Sequence, residues 1–146
     1  MRIGIDIDDT ICNTWEYIKP YFKSNFNIDD NILNENNYSR TLNCSKEEYY
    51  SFFKEKIDPM ILNIPIKKDA PKYINKLKDE GHQIYFITAR GNLDMKTPYE
   101  TTKLYLQNNN IKYDKLCLNS LEKDIICYEN KIDIFIDDSI KHCTIV

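Results

Sequence analysis

Apolar and polar positions fall in blocks along this chain. Ile3-Gly4-Ile5 ends abruptly at Asp6-Ile7-Asp8-Asp9-Thr10, and Ile84-Tyr85-Phe86-Ile87 ends at Thr88-Ala89-Arg90-Gly91. Leu116-Cys117-Leu118 is a third short run, and Ile132-Asp133-Ile134-Phe135-Ile136 is a fourth that stops at Asp137-Asp138-Ser139. Short apolar runs bounded by polar residues predict buried strands. The intervening segments carry helix signals. Thr14 to Phe26 predicts an aromatic-rich helix that Pro20 should bend or split. Ser45 followed by Glu48 has the form of a capping box and opens a helix from Lys46 to Ile57, with Asp58-Pro59 as its stop. Asp69 is a predicted cap for a helix with Pro71 in its first turn, Ala70, Tyr73, Ile74 and Leu77 at helical spacing, and Gly81 just past its end. Pro98 to Gln107 and Leu121 to Asn130 predict two more helices, Asn27 to Asn43 a loop with short helical turns, and Cys143 to Val146 a short edge strand.

Strands alternating with helices predict an α/β fold: a Rossmann-like parallel sheet with helices on both faces. The aromatic and Asn-rich stretch after the first strand interrupts the alternation. The expected organisation is therefore a core of residues 1–14 and 67–146 with a small helical cap, 15–66, inserted after strand one.

Composition narrows the partners. With 146 residues and a formal charge of −3, the chain suits a single core and shows no sign of a polyanion partner. Lys and Arg are interspersed with Asp and Glu, so neither nucleic acid nor a membrane surface is expected. No stretch reads as a targeting segment or reaches transmembrane length, and a cytoplasmic location is expected. The five cysteines, Cys12, Cys44, Cys117, Cys127 and Cys143, form no C-x-x-C pair, which points to reduced thiols. His82 and His142 have no pattern that supports a ligand or a base; surface or turn roles are expected.

The candidate chemistry lies at the strand ends. Asp6 and Asp8 are two apart, so in extended chain their carboxylates share a side and repel unless a cation or a proton intervenes. An Asp-rich turn closing a strand is the plain alternative. In a parallel sheet, however, the carboxyl ends open on one edge, where Asp6, Asp8, Thr10, Thr88, Arg90, Asp137 and Asp138 would converge. Oxygen ligands without His or Cys suit magnesium.

Asp6-x-Asp8-x-Thr10 after a strand, Thr88 in Ile87-Thr88-Ala89-Arg90, a lysine on the helix before the last acidic strand, and Phe135-Ile136-Asp137-Asp138 together resemble the four motifs of the haloacid-dehalogenase-like phosphohydrolases. The wording of the second and fourth motifs is similar to the C-type 5′(3′)-deoxyribonucleotidases and their bacterial relatives. The resemblance implies an aspartyl-phosphate mechanism: Asp6 as nucleophile, and Asp8 as a proton-carrying acid that later serves as base. It implies magnesium held by Asp6, the Asp8 carbonyl, Asp137 and Asp138. Thr88 and the amides of Asp9 and Ala89 would bind phosphate, with Arg90 either meeting substrate or pairing with an acid such as Asp94. Of two candidate lysines, Lys123 starts the helix and can reach Asp6, whereas Lys131 lies at its far end.

Asp9 stands where the family commonly has Gly, placing an extra acid beside the nucleophile. An exposed sheet edge at the end of the chain would invite pairing, so a homodimer is a further expectation. The implied substrate is a nucleoside monophosphate, a deoxy pyrimidine one by the narrower resemblance. Trp15, Tyr17, Phe22, Phe26, Tyr38, Tyr49, Tyr50, Phe52 and Phe53 offer faces for a base, or alternatively form the core of the cap. Phosphatases of sugar phosphates or other small metabolites, and a non-catalytic metal-dependent binding protein, share the fold.

Overall fold

The computed structural model describes residues 1–26, 45–92 and 94–145. The predicted loop Asn27 to Asn43, Tyr38, Cys44 and Val146 lie outside them. Four strands form one parallel sheet: β1 (Arg2–Ile5), β2 (Gln83–Ile87), β3 (Lys115–Cys117) and β4 (Ile134–Ile136), in the order β3-β2-β1-β4. The six helices among the described residues are α1 (Thr14–Phe26), α2 (Lys46–Ile61), α3 (Ala70–Asp79), α4 (Pro98–Asn108), α5 (Lys123–Glu129) and α6 (Ile140–Ile145). This is an α/β, Rossmann-like arrangement. From β1 the order runs through β2 to β3 on one side and reaches β4 on the other, so the crevice where it reverses opens between the ends of β1 and β4.

Register explains the two faces. Ile3 pairs with Ile84 and Ile134, and Ile5 with Phe86 and Ile136, so these share one side of the pleat; Gly4, Tyr85 and Phe135 share the other. On the first side Ile3, Ile5, Ile84 and Phe86 join one buried cluster with Ile74 of α3 and Tyr105 and Leu106 of α4. On the second, the Lys123 ammonium of α5 lies 5.8 Å from the centre of the Phe135 ring. Gly4 is needed there because a Cβ would come within 2.9 Å of Phe135 Cδ2.

The chain leaves the sheet and returns side by side. Asn13 N–H donates to Pro65 O and Lys67 N–H to Ile11 O, a short antiparallel neck before α1 and after α2. Among the described residues beyond the neck, Ile18, Phe22, Phe53, Ile57 and Ile61 belong to the same cluster as β1. Asp58 ties α2 to the start of α4 by accepting Lys96 N–H at 2.9 Å, Thr97 N–H at 3.4 Å and the Thr101 hydroxyl at 3.2 Å.

One expectation is narrowed and three need correction. Pro20 does not split α1: it removes the N–H that would bond Glu16, but Ile18 and Phe22 on either side of it are buried, and packing holds the helix together. α2 likewise runs through Asp58-Pro59 to Ile61, because Met60 and Ile61 are buried residues that extend its apolar face. The Ser45–Glu48 capping box is present, but Asp69, although at the N-cap of α3, makes no side-chain cap bond. Cys143 belongs to α6 and not to an edge strand; its N–H bonds back to Ser139 O, as does that of His142. No helix among the described residues is long and apolar enough to cross a membrane.

Asp114 joins two strands by accepting Ile84 N–H at 2.6 Å while pairing with Lys78 at 2.7 Å. Desolvation pushes its carboxyl up, but the Lys78 and Ile84 hydrogen bonds and the Lys78 charge outweigh this, and its pKa falls below the ordinary 3.8. A depressed folded value contributes stability above the unfolded pKa and loses it as pH drops through the folded one. Asp114→Ala should therefore cost about 1–2 kcal/mol at neutral pH. The gap to the parent should close at pH values below 3.8. Urea midpoints of both proteins across that range check this, and a gap independent of pH would contradict it.

Candidate active site

The ends of β1 and β4 are stitched together by Asp6 N–H donating to Ile136 O at 2.9 Å, which sets the acids of the two motifs side by side. Lys123, the first residue of α5, is only 5 % exposed and reaches both: its Nζ lies 2.8 Å from Asp6 Oδ1 and 2.6 Å from Asp137 Oδ2. Thr10 Oγ1 lies 3.3 Å from both Asp6 Oδ2 and Asp138 Oδ1 and accepts the Asp138 N–H at 3.1 Å. Asp6, Asp137 and Asp138 can each bring an oxygen within 4.8 Å of the others, an arrangement that could hold a metal ion.

Asp6, Lys123, Asp137 and Asp138 line a cavity of about 600 Å³ together with Asp8, Asp9, Thr88, Ala89, Lys141 and His142. Thr88 is buried at the end of β2, its N–H on Cys117 O. The loop beyond it is held against the end of β3 by Asn119, which approaches Gly91 too closely for any side chain there and accepts Asn92 N–H at 3.0 Å. Arg90, 4 % exposed, turns away from this cavity and grips Asp8 with two hydrogen bonds, Nε to Oδ2 at 2.9 Å and Nη2 to Oδ1 at 2.7 Å. Arg90 thus pairs with an acid, the second of the two expectations for it, but the acid is Asp8 and not Asp94.

The two first-motif acids sit in surroundings that move them in opposite directions, and those of Asp8 favour its carboxylate form. Burial is the largest influence on Asp8 and pushes its pKa up. The charge and hydrogen bonds of Arg90 and the Thr14 hydroxyl at 2.6 Å outweigh it, and the net shift is downward. Asp6 is pushed up to about 7, chiefly by burial, with Lys123 opposing and the charges of Asp8 and Asp137 adding. Asp137, its side chain fully enclosed, is lowered: burial is outweighed by hydrogen bonds from Lys123 and the Ser139 amide and by nearby positive charge. Lys123 is raised, since Asp6 and Asp137 favour its charge more than burial disfavours it.

His142 is the residue that sequence reasoning missed. Expected at the surface, it lines the cavity with Nδ1 3.1 Å from Asp137 Oδ2. The one available signal was its place five residues after Asp137, which becomes meaningful once Ile140–Ile145 is a helix and not a strand. Lys67, which donates to the Asp9 carbonyl, was also not singled out.

A second pocket of about 310 Å³ adjoins the first, sharing Asp8, Asp9 and Ala89 with it. Its walls are Trp15, Ile18 and Phe22 of α1, Tyr49, Phe53, Ile57 and Ile61 of α2, and Thr14, Arg90 and Asp94. The aromatics therefore do both things the sequence allowed. Phe22 packs on Phe53 at 5.3 Å and Phe26 on Phe52 at 5.0 Å as core, while Trp15, Phe22, Tyr49 and Phe53 also face the pocket.

Asp9 occupies the left-handed region, φ 57°, which accounts for glycine being the usual residue in the motif it resembles. Its carboxylate does not crowd the cavity as an unpaired acid; it accepts Trp15 N–H at 2.9 Å, satisfying a free donor at the start of α1. Asp9→Ala, which loses that bond and keeps a side chain at positive φ, should cost about 1–2 kcal/mol. Asp9→Gly, relieved of the backbone strain, should cost less. Thermal unfolding of the two variants checks the order, and Ala as stable as the parent would sink the capping role.

No family model matches the chain. A protein of Oceanobacillus iheyensis described as a "putative nucleotidase" is similar to it, 26% identical over 115 residues, a match that covers 75% of this chain and 59% of the relative. The chain thus spans less than two thirds of that relative's length.

Proposed function

We propose that this protein is a magnesium-dependent phosphomonoester hydrolase of the haloacid-dehalogenase type, acting on nucleoside monophosphates. The observation that carries the reading is the cluster of Asp6, Asp137 and Asp138 around the Lys123 ammonium, at the point where the strand order reverses. The similarity to a described nucleotidase supports the same direction. The donor set fits magnesium, since three carboxylates offer hard oxygens at one place. When bound there, the cation offsets repulsion between an anionic nucleophile and an anionic phosphate.

The roles of the protein groups follow from their surroundings. An Asp6 oxygen attacks phosphorus, forming an Asp–O–P bond as the bond to the leaving oxygen breaks. Lys123 steadies Asp6 and the developing phosphoryl charge, and Thr88 with the amides of Asp9 and Ala89 holds the phosphate oxygens. Asp8, kept as a carboxylate by Arg90, is suited to take the proton from the water that hydrolyses the aspartyl-phosphate. The same depression leaves a small protonated fraction for the leaving alkoxide, so basic alkoxides are the slow leaving groups. The aromatic pocket next to Asp8 supports a flat leaving group over a sugar.

Purified protein should hydrolyse an aryl phosphate in magnesium, lose activity with chelator and regain it on metal addition. Asp6→Asn should form no phosphoenzyme. Asp8→Asn should slow alkyl and aryl phosphates alike, by roughly a hundredfold or more, and let the phosphoenzyme accumulate. Thymidine monophosphate should exceed hexose and glycerol phosphates in kcat/KM. Equal values would remove the nucleotidase reading, and inactivity across metals and a broad phosphate panel would favour a binding protein.

A further inference from the structure

Asp94 is left without a cation. The guanidinium expected to pair with it is taken by Asp8, and Asp94 forms no ion pair among the described residues. Its turn is anchored on both sides: Asn92 N–H donates to Asn119 Oδ1 at 3.0 Å, buried Met95 bonds back to Gly91 O at 3.1 Å, and Lys96 N–H donates to Asp58 of α2 at 2.9 Å. Half-buried, Asp94 walls the 310 Å³ aromatic pocket together with Asp8 and Arg90. Burial pushes its carboxyl up, more than the amides of Asp94 itself and Gly91 pull it down; the side-chain charges that act on it are those of Asp8 and Arg90, which wall the same pocket. The carboxylate is thus partly stripped of water and, with up to four acceptor positions, is not filled by two amides.

We infer that Asp94 reads the leaving group: its carboxylate accepts a hydrogen bond from a ring N–H of a planar base seated among Trp15, Phe22, Tyr49 and Phe53. The inference rests on the reading of this pocket as the leaving-group site and adds the residue that discriminates within it. Aromatic walls stack on any flat ring, whatever its edge carries. A fixed acceptor in the wall adds the demand for a donor. A ring whose N–H is blocked displaces water from the carboxylate and returns no bond, so it is rejected more strongly than its shape alone would require. A neutral donor fits better than an alkylammonium, because the Arg90 guanidinium already stands in the same wall and repels a second cation.

Trp15 is the one tryptophan of the chain and lines the pocket, so its fluorescence reports occupancy without catalysis. The probes are thymidine and N3-methylthymidine, which keeps both ring carbonyls and loses the ring N–H, both free of phosphate and titrated without metal. Thymidine should bind about tenfold or more tighter to the parent protein. In Asp94→Leu, close to Asp in shape but without an acceptor, thymidine should weaken and the ratio should collapse towards one, whereas a preference set only by the bulk of the methyl group would persist. Asp94→Asn keeps an acceptor oxygen and should retain the preference. Equal binding of the two probes to the parent, or no binding of thymidine, overturns the assignment even if both variants fail to fold. So does an unchanged ratio in a folded Asp94→Leu. Discrimination that depends on Asp94, without hydrolysis of any phosphomonoester, keeps Asp94 as the residue that reads the base and removes the hydrolase; hydrolysis without discrimination does the reverse.

Discussion

The Lys123 ammonium lies 2.8 Å from Asp6 and 2.6 Å from Asp137, and none of the three side chains is more than 7 % exposed. Carboxylates withdrawn from water at this spacing repel each other and lose their hydration, and either effect alone would push them to take up protons. A single buried cation makes the arrangement tenable, and its position depends on packing well away from the acids. Lys123 begins α5, α5 rests on the face of the sheet that carries Phe135, and Phe135 has room only because residue 4 lacks a side chain. The polar crevice is thus supported from behind by close packing at Gly4.

Asp8 shows the same principle with a different partner. Arg90 supplies a forked, permanently charged guanidinium where Lys123 supplies a point charge, and a fork fixes direction as well as sign. Two neighbouring carboxylates of one motif therefore titrate in opposite directions: Asp6 raised, Asp8 lowered. Such divergence in a shared cleft is the usual sign of divided chemical labour.

The strands and most helix starts were legible because they depend on local pattern: apolar runs, a capping box, prolines in first turns. What the sequence concealed was tertiary. Pro20 and Pro59 are breakers by local rules, and only the buried neighbours Ile18, Phe22, Met60 and Ile61 show why the helices continue. The final segment reads as strand from its β-branched residues and is helical instead, which is why His142 came as a surprise. Convergence of the acids at one edge follows from parallel topology and was readable, as was the reach of Lys123 to Asp6; the pairing of Arg90 with Asp8 was not. Arg90 pairs with Asp8 and not with Asp94, which only the folded path of the chain reveals.

Asp9 belongs to two structures at once: its main chain turns the loop between Asp8 and Thr10, and its side chain holds the first turn of α1. α1 in turn carries Trp15, Ile18 and Phe22 into the aromatic pocket. The wall that would meet a leaving group and the turn that would meet a phosphate are therefore joined through one residue and not through a hinge. Displacing the helix outward means breaking the hydrogen bond from Trp15 N–H to the Asp9 carboxylate, so the position of the pocket wall is tied to the conformation of the loop.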